Sequence, residues 1–171
     1  MTAVEYASAD GRFVVVLQPD IMRRLVAFCA ASPNLETGGI LIGRYAASLR
    51  VAVVTGLSGP PAGSRGSSST FFRAIGHLQR WLDELWSSRG GYYLGEWHAH
   101  PGGSAEPSGI DVHQLSAIAN DPGYCCPEPI LVVLGGESAV HRTLSVTIFV
   151  RGGASVRLHE VRGASTGRAT E

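Results

Sequence analysis

The sequence predicts an α/β protein in which a β-sheet is packed by helices, and two observations lead to this class. Segments rich in β-branched residues alternate along the chain with segments whose apolar residues recur at helical spacing. The chain has 171 residues, of which 44% are hydrophobic, so it is long and apolar enough to bury one full core. No internal repeat or second compositional block divides it. Residues 1–171 are therefore predicted to form a single domain.

The first half of the chain predicts strands and helices in turn. Pro19 and Asp20 begin a helix, because proline fits the first helical turn, and Pro33 ends it. A segment rich in Gly, Pro and Ser predicts a loop after the first three strands. The predicted elements are a buried strand over residues 12–18, this helix, a hairpin of strands over 37–42 and 50–56 with a turn over 43–48, the loop over 58–69 and an amphipathic helix over 74–88.

The second half predicts the rest of the sheet around one further helix. Ser108 is the type of residue that caps a helix, and the helix is expected to run from there to about residue 120. The other predicted elements are strands over residues 92–97, 130–134, 144–151 and 155–161, with a turn-rich segment over 121–129. Residues 163–171 are expected to form a flexible, frayed tail.

Two histidines and an aspartate lie at the spacing of an open metal site. His98 and His100 follow the predicted strand, and residues two apart in a strand point to the same face. Pro101 has no backbone N–H, so the strand is expected to stop there. The cap at Ser108 places Asp111 in the first helical turn, where its carboxylate is aimed back at the histidines.

This ligand set suits a catalytic zinc ion. Zinc sites that catalyse reactions have three protein ligands and keep the fourth corner for water, whose pKa falls from about 15.7 to about 7 in favourable sites. The set therefore predicts a metal hydrolase with one zinc ion per chain. The structural alternative is that Ser108 and Asp111 form only a helix cap and that the histidines are ordinary surface residues.

The same residues resemble the JAMM signature of the JAB/MPN metallopeptidases. That signature is matched by His98, His100, Ser108 and Asp111, and Glu36 matches the family's upstream glutamate. Further likeness, to short bacterial members from conjugative elements and antiphage islands, lies in Phe71-Phe72-Arg73 and Tyr93-Leu94-Gly95-Glu96-Trp97. The resemblance covers nearly the whole chain. Many relatives carry Ser or Thr at Ala99, a departure expected to matter little because residue 99 points away from the histidines.

The resemblance implies a fold and a set of residue roles. The fold is the JAB/MPN, cytidine-deaminase-like fold, a mixed, mostly antiparallel sheet packed by helices. The implied zinc ligands are His98, His100 and Asp111; Glu36 would be the general base, and Ser108 would donate a hydrogen bond to the oxyanion. Both catalytic roles are physically sound for a carboxylate and a hydroxyl beside a metal ion. The structural alternative for Glu36 is that it only begins the strand that follows.

Other acidic and histidine residues compete for these roles. Glu96 lies two residues before His98, so strand periodicity alone leaves it open as the base. The family pattern favours Glu36, and Glu96 is then expected to orient a histidine N–H. Glu106 is a weaker third candidate for the base. The remaining histidines are expected to be surface or helix-face residues: His77, His113, His141 and His159.

Composition argues against several classes of partner. The formal net charge is zero, so no basic surface for nucleic acid is indicated. We expect a cytoplasmic protein without a membrane partner, since neither a leader nor a long apolar run is present.

Three cysteines make no disulfide framework. Cys29 is expected in the core. The adjacent Cys125 and Cys126 could line the substrate groove or react with oxidants, and their role stays open.

The resemblance also implies the substrate class. Relatives cut the bond after the C-terminal glycine of ubiquitin-like proteins, so the expected partner is a ubiquitin-like protein or its conjugate in a bacterial antiphage system. An extended tail ending in glycine can pair with a strand edge and pass a narrow entrance, with the loops over 58–69 and 121–129 expected to hold it. The alternatives are a hydrolase that processes a sulfur-carrier protein and a non-catalytic MPN scaffold.

Overall fold

A computed structural model of the chain describes residues 2–46, 50–60, 65–66, 71–72, 91–136 and 142–161. The strands are β1 (Val4–Ala7), β2 (Val14–Leu17), β3 (Thr37–Tyr45), β4 (Val51–Leu57), β5 (Arg65–Gly66), β6 (Phe71–Phe72), β7 (Tyr92–Pro101), β8 (Ile130–Gly136), β9 (Thr143–Phe149) and β10 (Ser155–Glu160). The helices are α1 (Pro19–Ala31), α2 (Gly109–Asn120) and a short 3-10 helix (Pro122–Tyr124). No helix in these ranges is both long enough and apolar enough to cross a membrane.

Eight of these strands close into a barrel in the order β1-β10-β9-β8-β7-β3-β4-β2. All neighbouring pairs are antiparallel except β2 with β4 and β7 with β8, which confirms a mixed, mostly antiparallel sheet. The expectation of a sheet simply packed by helices was wrong. The physical reason is β1, which the sequence analysis did not predict. It pairs with β2 on one side and β10 on the other, so it joins the two edges of the sheet.

The barrel has an inner and an outer apolar surface, because successive strand residues point to opposite sides. The inner cluster draws residues from all eight barrel strands, and α1 adds Ile21, Leu25 and Cys29 to it. The outer cluster lies over β3, β7, β8 and β9, where Leu115 and Ile118 of α2 pack on the sheet. The two helices therefore pack against different sides of the same strands.

Most predicted elements are present with shifted ends. Strand β3 continues to Tyr45, into the predicted turn, and β7 continues through the histidines to Pro101, where it ends as expected. The loop prediction over 58–69 was wrong at Arg65–Gly66, which pairs with Phe71–Phe72 in a separate two-stranded sheet. The predicted helix over 74–88 and the tail over 163–171 lie outside the described residues.

A bulge in β7 sets the direction of the side chains that follow it. Leu41 of β3 pairs with Gly95 and Ile42 pairs with Tyr93, so Leu94 is an extra residue on β7. Gly95 has a φ of 143°, and a Cβ there would overlap the carbonyl of Ile130 on β8. Only glycine fits this position without displacing the neighbouring strand.

Candidate active site

Strand β7 presents its histidines to the outer side of the barrel, beneath α2. His98 pairs with Gly38 of β3 and with Val133 of β8, and Val133 belongs to the outer cluster. Ala99 belongs instead to the inner cluster, as expected for a residue that points away from the histidines.

The segment after Pro101 folds back over the end of β8. Gly102 N donates to Gly136 O at 3.2 Å, and Gly136 N donates to Gly103 O at 2.9 Å. The backbone of Ala105 lies so close to Gly135 that a Cβ on this glycine would overlap it. This packing places the N-terminus of α2 next to His98 and His100.

The start of α2 forms the predicted capping box. Ser108 Oγ accepts a hydrogen bond from Asp111 N at 3.2 Å, and Asp111 Oδ2 accepts one from Ser108 N at 2.7 Å. A carboxylate in this first turn also interacts favourably with the helix dipole. Asp111 is thereby fixed with its other carboxylate oxygen free to face β7.

His98, His100 and Asp111 converge. Asp111 Oδ1 lies 2.5 Å from His98 Nδ1, and Asp111 Oδ2 lies 3.5 Å from His100 Nε2. One ligand atom from each residue can be chosen so that all three lie within 4.8 Å of one another. Two imidazole nitrogens and a carboxylate oxygen suit a borderline-soft divalent cation such as zinc. The residues present can therefore hold a metal ion.

The Asp111 carboxylate favours the charged form of both histidines. Burial of His98 disfavours its charged form, but hydrogen bonds to Asp111 and Glu96 outweigh burial and raise its pKa to about 9. The hydrogen bond to Asp111 likewise raises the pKa of His100. For Asp111, burial opposes the charge, yet its hydrogen bonds to both histidines hold the carboxyl pKa far below its usual range. The Asp111 carboxylate and the two imidazoles therefore interact with one another, and a bound cation would replace these contacts with contacts to itself.

Glu96 contacts His98 at Nε2, the imidazole nitrogen opposite to the one that contacts Asp111. Its side chain is fully buried, with Oε2 3.5 Å from His98 Nε2 and 2.9 Å from Gln114 Nε2, while Tyr93 donates to Oε1 at 3.3 Å. These contacts support the expectation that Glu96 orients a histidine. Gln114 and Tyr93 were missed by sequence reasoning. Gln114 lies three residues after Asp111, one turn along the same helix face, which was a usable signal.

Glu36 lies directly before β3, next to the candidate metal ligands. Thr37 pairs with Ala99, so the register puts Glu36 beside His100. The side chain is half-buried, and burial raises its carboxyl pKa, as does the charge of Asp111, while His98 and His100 lower it. Glu36 is therefore close enough for the charge of each candidate ligand to change its carboxyl pKa.

The remaining candidates from the sequence lie elsewhere. Glu106 is exposed and forms an ion pair with Arg157 at 2.7 Å. His113 and His159 are exposed, as predicted, while His77 and His141 lie outside the described residues.

The cysteines separate into two environments. Cys29 and Cys126 are buried in the inner and outer clusters respectively, and Cys125 is exposed. The expectation that Cys29 is a core residue is confirmed, and Cys126 likewise packs in the core.

Comparisons with known proteins identify the class to which the chain belongs. Residues 18–148 match the family described as prokaryotic homologs of the JAB domain, and the chain is a member of that family. A protein of Enterobacter hormaechei named "CD-NTase/cGAS isopeptidase" is 38% identical over 158 residues, which cover 92% of this chain and 87% of that protein.

Further relatives agree with this assignment. An Escherichia coli protein of the same name is 27% identical over 74% of this chain and 78% of its own length. A Sinorhizobium fredii protein named "Probable metalloprotease y4qB" is 32% identical over 60% of this chain and 64% of its own length. The solution structure of DSY2949 from Desulfitobacterium hafniense shares the fold, with a TM-score of 0.63 at 18% identity over 85% of this chain and 88% of that one. The names of the sequence relatives support a hydrolase of peptide or isopeptide bonds.

Proposed function

We propose that this protein is a zinc-dependent isopeptidase that separates a protein from the amine to which its C-terminus is joined. The observation that carries the proposal is the convergence of His98, His100 and Asp111 beside Glu36. The bound ion would polarise the carbonyl and lower the pKa of water at the site.

Each residue of the chain has a defined task in this proposal. His98, His100 and Asp111 hold the ion. Glu36 accepts a proton from the attacking water as the water oxygen bonds to the carbonyl carbon, and it passes that proton to the amine nitrogen as the C–N bond breaks. Burial, which raises the carboxyl pKa of Glu36, makes the carboxylate a stronger base for the first half of this transfer.

Ser108 can both build the helix and serve the reaction. Its oxygen accepts the capping hydrogen bond from Asp111 N, so its O–H hydrogen remains available to donate. Ser108 is also exposed, so a substrate can reach it. We propose that this hydrogen stabilises the oxyanion that forms on the substrate carbonyl.

The names of the relatives supply the first candidate substrate, a CD-NTase held in a conjugate by an isopeptide bond. A ubiquitin-like protein, which the family resemblance predicts, is the second.

The closed barrel limits how an extended substrate tail could bind, since its eight strands leave no free edge. Among the described residues, the edge open to a tail that adds to a sheet belongs to the separate β5–β6 ribbon.

The test uses two sets of fusions, bacterial CD-NTases and bacterial ubiquitin-like proteins, each with green fluorescent protein joined to its C-terminus. Cleavage is expected with Zn²⁺ and is expected to stop with a chelator. His98→Ala should lose both bound metal and cleavage, whereas Glu36→Gln should lose cleavage and keep the metal. Glu106→Gln is the matched control, because it removes an exposed carboxylate of the neighbouring loop and should leave both readouts unchanged.

Two results would change the assignment. If Glu36→Gln stayed active while Glu96→Gln lost activity with metal still bound, Glu96 would be the base. If the protein bound stoichiometric metal and cleaved no fusion in either set, the catalytic proposal would fail in favour of a scaffold. Sulfur-carrier fusions, added as a third set, test the remaining alternative.

A further inference from the structure

A cavity of about 260 Å³ lies beside His100, between the end of α1 and the ends of β7 and β8. Its wall includes Cys29, Ala99, Leu134 and Arg142. Cys29, Ala99 and Leu134 all belong to the inner cluster, whereas His98 points to the outer side. His100, one of the candidate metal ligands, also lies in the cavity wall, so the cavity adjoins the metal site at the end of β7 and extends to the inner side of the barrel.

Arg142 brings a positive charge to this cavity. Its side chain is half-buried, and its partner is the thiol of Cys29. Burial raises the pKa of that thiol, so it is neutral at physiological pH and does not balance the guanidinium. Within the described part of the chain, no carboxylate forms an ion pair with Arg142. A guanidinium that is partly removed from water in this way favours an anionic partner.

The size and lining of the cavity indicate what that partner is. The volume lies below the range of about 300–1,000 Å³ that is usual for whole small-molecule ligands, and it suits one or two side chains of a bound polypeptide. Besides Arg142, Cys29 and His100, the wall consists of alanine, proline and leucine side chains and glycine backbone, and these can cover the methylene groups of a longer acidic residue.

We propose that Arg142 is a specificity-determining residue, and that the cavity receives an acidic side chain of the polypeptide substrate within three residues of the cleaved bond. This inference rests on the proposed isopeptidase function. The cavity borders His100 and continues to Cys29 on the inner side of the barrel, and an extended chain advances about 3.3 Å per residue, so the occupant is a residue close to the cleaved bond.

The test is a charge scan on both partners. In a cleavable fusion, each of the three residues on either side of the cleaved bond is set in turn to Glu, Gln and Lys, and kcat/KM is measured for wild type, Arg142→Gln and Arg142→Glu. Wild type is expected to prefer Glu over Gln by about tenfold at one position, the size expected for a partly exposed charged hydrogen bond. Arg142→Gln should bring that ratio to about one, and Arg142→Glu should favour Lys.

Two controls keep the result specific. Arg23→Gln removes an exposed arginine of α1 that pairs with Asp20, and it should keep the wild-type preference. Zinc stoichiometry should be equal in all variants, which separates substrate selection from damage to the metal site. If wild type cleaves with no acidic preference at any position, or if Arg142→Gln keeps the preference, the inference is wrong while the isopeptidase function stands. If no fusion is cleaved, the proposed function itself fails.

Discussion

Metal-free protein should lose stability as pH rises from 6.5 to 9, and this perturbation tests the electrostatics of the site directly. His98 has an ordinary pKa of 6.5, raised in the fold to about 9 by Asp111 and Glu96. A group whose folded pKa is raised stabilises the fold fully below its unfolded pKa and loses that contribution as pH rises through the folded pKa. The shift corresponds to as much as about 3 kcal/mol of unfolding free energy, lost across this window.

Metal binding should show the opposite dependence. An imidazole must be neutral to bind an ion, so the apparent zinc affinity should rise by about tenfold per pH unit until pH passes the pKa of His98. The gain in zinc affinity offsets the loss of metal-free stability, because the imidazole is neutral both in the metal-loaded fold and in the unfolded chain. The stability of the metal-loaded protein should therefore stay nearly constant over the pH range in which the metal-free protein loses stability.

Two measurements check this reasoning. Urea unfolding of chelator-treated and zinc-loaded protein at pH 6.5, 8 and 9 gives the two stability profiles. A nitrogen-15 NMR titration of the histidines in metal-free protein gives the midpoint for His98. The His98→Gln variant is the control and should flatten the metal-free profile. A His98 midpoint at or below 6.5, or a metal-free profile already flat in wild type, would refute the account.

Three other perturbations address particular contacts. Gly135→Ala should force the backbone of Ala105 outward, cost about 1–3 kcal/mol by urea unfolding and weaken zinc binding, whereas Gly109→Ala, which has open space around it, should do neither. Native alkylation followed by mass spectrometry should modify Cys125 and spare Cys126, whose burial raises its thiol pKa to about 11, and equal labelling would contradict this. Glu96→Gln should lower zinc affinity by about 10–100-fold in calorimetry yet keep cleavage at saturating zinc, and unchanged affinity would remove its orienting role.

The local part of the site could be predicted from the sequence because neighbouring residues determine it. The strand places His98 and His100 on one face, and the capping box at Ser108 places Asp111 at the third helical position, whatever the rest of the chain does. The same holds for α1 and for the later strands, where periodicity and proline positions carry the signal.

What could not be predicted depends on contacts distant in sequence. Strand β1 is four residues long, and only its pairing with both β2 and β10 makes it close the barrel. The link between Glu96 and Gln114 requires α2 to be docked on β7, and Arg142 reaches Cys29 only because the residue before β9 and the end of α1 line one cavity. Periodicity describes the faces of an element but not the element that covers them.

The bulge at Leu94 reverses the parity of β7. Before it, odd-numbered Tyr93 packs in the outer cluster; after it, even-numbered His98 points outward and odd-numbered Trp97 packs in the inner cluster. A strand without the extra residue would turn Trp97 toward the helix and bury the imidazoles among aliphatic side chains. The chemistry of this protein therefore depends on the count of residues in a stretch, Leu94-Gly95, that has no reactive side chain of its own.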